Sequence, residues 1–274
     1  MNTSLPGQAA IAVEMVARQS AVTTAMATSP FKLLVPRPRG RSVTACTSNF
    51  GGGMVAGDTT RLEVRLEPGT RCLLGTQAST KIYRNPARLS CHHQTVAEIG
   101  DGALLAFTPD AIQAFAGSIF HQHQTFRLGA GAGLVLVDWL SSGRPACGER
   151  WAFERFTSRN EVFLADQLIF LDSLRLDGAV SPLSGPFRTG RFDCLALVAL
   201  LGSPLREAAA AMVAAAAAQP PPTRSALVWS VSPHPHGAIL RAAGDSIENV
   251  SRLLQQQLHF LGELLVDSPW SRRW

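Results

Sequence analysis

The stretch Arg61-Leu62-Glu63-Val64-Arg65-Leu66-Glu67-Pro68-Gly69-Thr70-Arg71-Cys72-Leu73-Leu74 decides the fold class. Charged side chains at 61, 63, 65 and 67 alternate with Leu62, Val64 and Leu66, a period of two that sets one face of a strand on a core. Pro68-Gly69 then supplies turn chemistry: proline fixes φ and glycine accepts positive φ. With the apolar run Cys72-Leu73-Leu74 the unit reads strand, tight turn, strand.

The unit returns at 95–107 around Gly100-Asp101-Gly102 and at 125–140 around 129–133, with a weaker fourth copy at 162–171 broken by Ala165-Asp166-Gln167. The first three turns lie about 30 residues apart, the regularity of supersecondary units stacked along one axis. The expectation is a mainly β, layered body. A solenoid-like stack and an ordinary sandwich of hairpins fit the spacing equally. After residue 200 the pattern changes. Ser203 as N-cap and Pro204 at the first helical position predict a helix over 203–219, stopped by Pro220-Pro221-Pro222. Asp245 with Glu248 makes a capping-box pattern for a second helix over 245–266, whose stripe Ile247, Val250, Leu253, Leu254, Leu258, Leu261 and Leu265 has helical spacing. Leu227 to Val231 reads as a short strand between them. No linker divides the chain, so one domain over 1–274 is expected, the order of residues 1–20 being left open.

Composition narrows the function classes. A 274-residue chain with 46% hydrophobic residues builds a sizeable core. Its five scattered cysteines form no C-x-x-C pair, which fits a reducing cytoplasm. The apolar patch at 9–16 is interrupted by Glu14 and lacks a preceding cationic region, so export is not expected. No uncharged apolar run reaches the ~20 residues of a membrane span. The formal charge of +5 gathers visibly only at Lys32, Arg37, Arg39, Arg41, Arg272 and Arg273. Without interleaved aromatics this reads as a solvated basic surface, with no nucleic-acid partner.

No enzyme constellation emerges. Gly51-Gly52-Gly53-Met54-Val55-Ala56-Gly57-Asp58 lacks the G-K-[ST] ending of a P-loop and precedes a strand, so a tight backbone bend capped by Asp58 is the physical reading. Thr76-Gln77-Ala78-Ser79-Thr80-Lys81-Ile82-Tyr83-Arg84 has hydroxyls beside a lysine but neither S-x-x-K spacing nor a G-x-S-x-G elbow. Three histidine pairs raise metal binding: His92-His93, His121 with His123, and His234 with His236. The i, i+2 pairs share a strand face and offer two corners of a nickel site, without an evident third ligand. A carbohydrate-active β-solenoid is the enzyme alternative, with Glu98, Asp110 and Asp138 as its carboxylates, and a generic β-rich binding module is the other.

The glycine-rich and hydroxyl-rich segments together resemble the UreD (UreH) family of urease accessory proteins, in which a G-G-G-x-V-x-G-D segment leads through an alternating strand into T-Q-A-x-T-K-x-Y-R. Here these are Gly51, Gly52, Gly53, Gly57 and Asp58, then Thr76, Gln77, Thr80, Lys81, Tyr83 and Arg84. Ser29-Pro30-Phe31-Lys32, Gly143-Arg144-Pro145-Ala146-Cys147-Gly148-Glu149 and Pro269-Trp270-Ser271-Arg272-Arg273-Trp274 look like the family in the same order. Where members carry W-L-P-x-P-x-I, this chain has Ala106-Phe107-Thr108-Pro109-Asp110-Ala111-Ile112, and Gly75 stands where a threonine is common.

The resemblance implies a strand-rich body followed by two helices, and a non-enzymatic role in nickel insertion. The partners would be UreF, UreG (a nickel-carrying GTPase) and apo-urease, with the oligomeric state open, a homodimer within the complex included. Nickel would pass transiently through an internal passage, with no permanently bound cofactor. Asp58 and Glu149 are the matching-motif acids expected to line that path, with His121 and His123 as weaker candidates.

Overall fold

The tight turns that follow Leu66, Ile99 and Leu128 carry the chain from one sheet to the other. The computed structural model describes residues 5–37, 40–178, 180, 182–219, 225–266 and 270. The first turn of the stack holds β1 (Gln8–Val16), β2 (Gln19–Ala27), β3 (Phe31–Leu34), β4 (Val43–Asn49) and β5 (Gly53–Met54). The second holds β6 (Thr59–Leu66), β7 (Arg71–Thr76) and β8 (Lys81–Ile82), and the third β9 (Cys91–Ile99), β10 (Leu104–Phe107) and β11 (Ile112–Ala114). The fourth has β12 (Ile119–Leu128) and β13 (Gly133–Ser141), closed by a small hairpin of β14 (Gly143–Arg144) and β15 (Glu149–Arg150). Next come β16 (Arg155–Leu164), β17 (Gln167–Asp177), β18 (Cys194–Leu201), α1 (Arg206–Ala217), β19 (Leu227–His234), β20 (Gly237–Gly244), α2 (Ile247–Gln257) and α3 (Leu261–Leu265).

Of the two layered arrangements, the stack forms. Strands β1, β6, β9, β12 and β16 lie parallel in one sheet, and β4, β7, β10 and β13 in the other. A sandwich of hairpins would pair β6 with β7. Instead Leu66 stands opposite Ile99, and Ile99 opposite Leu128. The turns are laddered too: Gly100 N–H donates to Leu66 O at 2.7 Å, Gly129 N–H to Ile99 O at 2.8 Å, and Ala130 N–H to Asp101 Oδ1 at 2.9 Å. Space demands glycine at 129, where a Cβ would sit 2.4 Å from Asp101 Oδ1 and 2.9 Å from Asp101 N. At the corner β5, β8 and β11 form a third column, with Gly53, Lys81 and Gln113 in one row and Met54, Ile82 and Ala114 in the next.

The fourth repeat differs from its expectation. Ala165 and Asp166 take positive φ of 47° and 63°, a two-residue hairpin turn, and β16 and β17 pair antiparallel within the first sheet. Two residues are too few to span the roughly 10 Å between packed sheets. The second sheet grows instead by antiparallel β18, β20 and β19.

Burial follows the alternation in β6, whose Leu62, Val64 and Leu66 join the inter-sheet core with Phe126, Leu136 and Val162. A second core lies between the other sheet and the helices, where Val250, Leu253, Leu254, Leu258, Leu261 and Leu265 are buried as the stripe predicts. The helix limits shift. A 3-10 turn at Ser203–Leu205 precedes α1, and Ser203 Oγ reaches back to Gly131 O at 3.4 Å instead of capping. Ser246, not Asp245, caps α2 by accepting Asn249 N–H at 3.2 Å, and the helical stretch breaks between Gln257 and Leu261. Residues 220–222, Arg39, and the terminal motif apart from Trp270 lie outside the described residues.

Candidate functional site

The two long motifs meet at the corner column. Gly51, Gly52 and Gly57 take φ of 73°, 73° and 89°, conformations that favour glycine. Tyr83 Oη donates to Gly51 O at 2.7 Å and Tyr83 N–H to Met54 O at 2.9 Å, so the hydroxyl-rich segment fastens the glycine loop. Asp58 closes that loop on itself: Val55 N–H donates to Asp58 Oδ2 at 2.8 Å, and Asp58 N–H to Val55 O at 3.0 Å. Thr76 Oγ1 donates to Asp110 Oδ2 at 3.0 Å, and Gln77 N–H to Thr47 O at 2.8 Å. Contacts continue along the corner from Tyr83 to Phe115 (5.5 Å, edge-on) and from Phe115 to the Arg144 guanidinium (4.2 Å).

Glu149 lies at the end of this line. Arg144 grips both its oxygens, Nη2 to Oε1 at 2.5 Å and Nε to Oε2 at 3.0 Å, and Ala116 N–H adds a third contact at 3.3 Å. The Arg144 hydrogen bonds lead in holding the Glu149 carboxyl below its ordinary value, and the nearby charge of Arg84 adds to them. Asp58 and Glu149 thus share the corner but have separate partners.

His121 and His123 share the outer face of the first sheet, as the spacing required, but their ring nitrogens diverge. His121 Nδ1 bonds Thr157 Oγ1 at 2.7 Å and His123 Nε2 bonds Glu161 Oε2 at 2.8 Å. The register brings His92 against His121, stacked at 5.0 Å, and burial, His92, Arg155 and Arg175 together push the His121 imidazole down. His234 Nε2 bonds Ile169 O at 3.1 Å. Among the described residues no three or more His, Cys, Asp or Glu side chains gather as a metal cluster.

The polar group that the sequence reading left unassembled is inside. On β12 Gln122 and Gln124, on either side of His123, point inward, as do Ser158 and Asn160 on β16. Gln124 Nε2 donates to Asn160 Oδ1 at 2.7 Å, and Asn160 Nδ2 to Asp138 Oδ2 at 2.7 Å. Ser158 Oγ donates to the same oxygen at 2.6 Å, and Gln122 Nε2 to Asp138 Oδ1 at 3.1 Å. Burial pushes the Asp138 carboxyl up from its ordinary value, Ser158, Asn160 and Gln122 pull it back, and Asp172 adds a further upward push. Half-buried Asp138 lines two spaces at once. One is a small cavity of about 50 Å³, also lined by His93, Thr76, Asp110 and Gln122, with room for a few waters. The other is a groove of about 620 Å³ between β17 and the strands β18, β19 and β20. Asp110 and Asp138 therefore face one cavity, whereas Glu98 pairs with Arg127 on the exposed surface. His93, held by Thr60 Oγ1 at 2.8 Å and Thr95 Oγ1 at 3.1 Å, is pushed down to about 4 by burial.

The interior therefore gathers the carboxylates of Asp138 and Asp110, the His93 imidazole, and amide and hydroxyl groups around one small cavity. Fold and site define a β-solenoid-like protein whose polar chemistry lies along its axis. The profile of the family described as UreD urease accessory protein matches residues 6–274, and the chain belongs to that family. It is 44% identical over 269 residues to a urease accessory protein UreD of Sorangium cellulosum, covering 98% of this chain and 84% of the relative. A UreD of an Anaeromyxobacter species is 37% identical, covering 92% and 84%. Urease accessory protein D of Arabidopsis thaliana is 31% identical, covering 95% and 98%.

Proposed function

We propose that this chain is a non-enzymatic scaffold of urease maturation in the cytoplasm, a single unit over 1–274 that assembles with UreF, UreG and apo-urease and conducts nickel through its interior. The observation that carries this reading is the hydrogen-bonded chain Gln124, Asn160, Asp138, Ser158 and Gln122 between cavity and groove. An aquated nickel ion needs replacements for its waters that bind neither too weakly to admit it nor too strongly to release it. Amide and hydroxyl oxygens with one carboxylate meet that need. The donors now around Asp138 are rotatable side chains, so they can turn their oxygens toward a cation.

Asp58 and Glu149 take a different part in this reading. Their carboxylates are bound in place by Val55 N–H and by Arg144, which suits them to shaping the corner that UreF or apo-urease contacts. Co-expression with UreF, UreG and apo-urease tests the scaffold role. A complex that purifies together and activates urease in a nickel-dependent way is expected. Failure to co-purify with any of them contradicts it.

A further inference from the structure

The groove that ends at Asp138 is crossed by one ion pair. Arg241 Nη2 on β20 donates to Asp172 Oδ1 on β17 at 2.9 Å, joining the second sheet to the first. Asp172 is mostly buried, 18% exposed, while Arg241 is 56% exposed. Among the described residues Arg241 is the one basic side chain in a lining that also holds Asp138 and Asp172, so the carboxylate pair faces a single positive charge there.

We infer that Arg241 is the resident counter-cation of the groove, holding on Asp172 the place that an entering divalent cation takes. This rests on the reading of the interior as a nickel passage and adds a residue that sets its affinity. With Arg241 docked, the two ionised carboxylates and the guanidinium leave a net charge of about −1 at the groove, which attracts a dication weakly. Released to water, the guanidinium leaves two carboxylates unopposed. The release moves only the 56% exposed guanidinium into water, and the cation that replaces it neutralises Asp172, which stays mostly buried. The sheets stay joined meanwhile, since His234 Nε2 bonds Ile169 O at 3.1 Å and the ring lies edge-on to Phe170 at 6.3 Å. Arginine thus keeps the groove closed to weakly attracted ions and yields to a dication delivered at high local concentration.

The test is isothermal titration of the full-length chain with Ni²⁺. Arg241→Gln is expected to bind on the order of tenfold more tightly than wild type, the effect of removing one like charge at close range in a partly hydrated site. Arg241→Lys should stay near wild type, and Arg241→Gln with Asp172→Asn should lose the gain. A lower melting temperature for Arg241→Gln with unchanged nickel affinity overturns the inference and leaves the pair as a staple between sheets. Asp138→Asn reports separately. If it leaves urease activation intact, the passage reading falls whatever Arg241 does. If it impairs activation while Arg241→Gln leaves affinity unchanged, only the role of Arg241 is refuted.

Discussion

Asp58 engages Val55 through both its amide and its carboxylate, and that geometry sets the energetics of substitution. Asp58→Ala loses one charge-assisted bond at a partly exposed site and should cost about 1 kcal/mol in urea unfolding. Asp58→Asn keeps an acceptor and should cost clearly less. Equal stability of all three, with activation lost in both variants, would instead mark Asp58 as a nickel ligand. His93 offers a pH signature. Its folded value near 4 lies below the ordinary 6.5, so the unfolded chain takes up the proton first. Stability is full above pH 6.5 and falls as pH drops toward 4, by at most about 3 kcal/mol. His93→Gln should flatten that slope, and an unchanged slope would show that the imidazole is not held neutral. The inward set was half visible in the sequence. Gln122 and Gln124 share parity with buried Phe120 and Phe126, and Ser158 and Asn160 with Phe156 and Val162. Polar residues at core positions were the signal, and the adjacent histidines drew attention to the opposite face. That Asp138 would receive both sets depended on pairing across two sheets, which local periodicity does not specify.

Elements were legible where local chemistry alone determines them. The alternation of β6, the glycine turns and the apolar stripe of α2 and α3 all formed where the pattern put them. Their limits depended on neighbours. Asp245 donates its N–H to Ala226 O at 2.8 Å just past the end of β20, which ties it to the sheet side, so the cap passes to Ser246. The fourth repeat failed because residues 165 and 166 adopt a hairpin turn, and the same fact supplies a prediction. Replacing Ala165-Asp166 by Asn-Gly, the pair suited to two positive φ values, should stabilise the protein by roughly 0.5–1 kcal/mol in thermal unfolding. A loss of stability would argue that the turn is not of this type. Conversely Gly129→Ala must displace the Asp101 backbone from 2.9 Å and should cost on the order of 1–3 kcal/mol. A neutral outcome would contradict the stacked turns.

At the scale of the molecule, the stack of about four turns explains why motifs distant in sequence share one place. The glycine loop, the hydroxyl-rich segment and the Ile112–Ala114 strand are successive storeys of one corner, with the Arg144–Glu149 pair beside them. The same stacking lines up inward polar residues along the axis, so the proposed passage rests on the solenoid as a whole and not on any one motif. Its central test is urease activation at limiting nickel by complexes carrying wild-type chain or Asp138→Asn, matched for complex yield. The substitution keeps size and one acceptor but removes the charge that attracts a cation. Activation should fall several-fold and recover partly as nickel is raised. Full activation by Asp138→Asn at limiting nickel would contradict a nickel path through the interior.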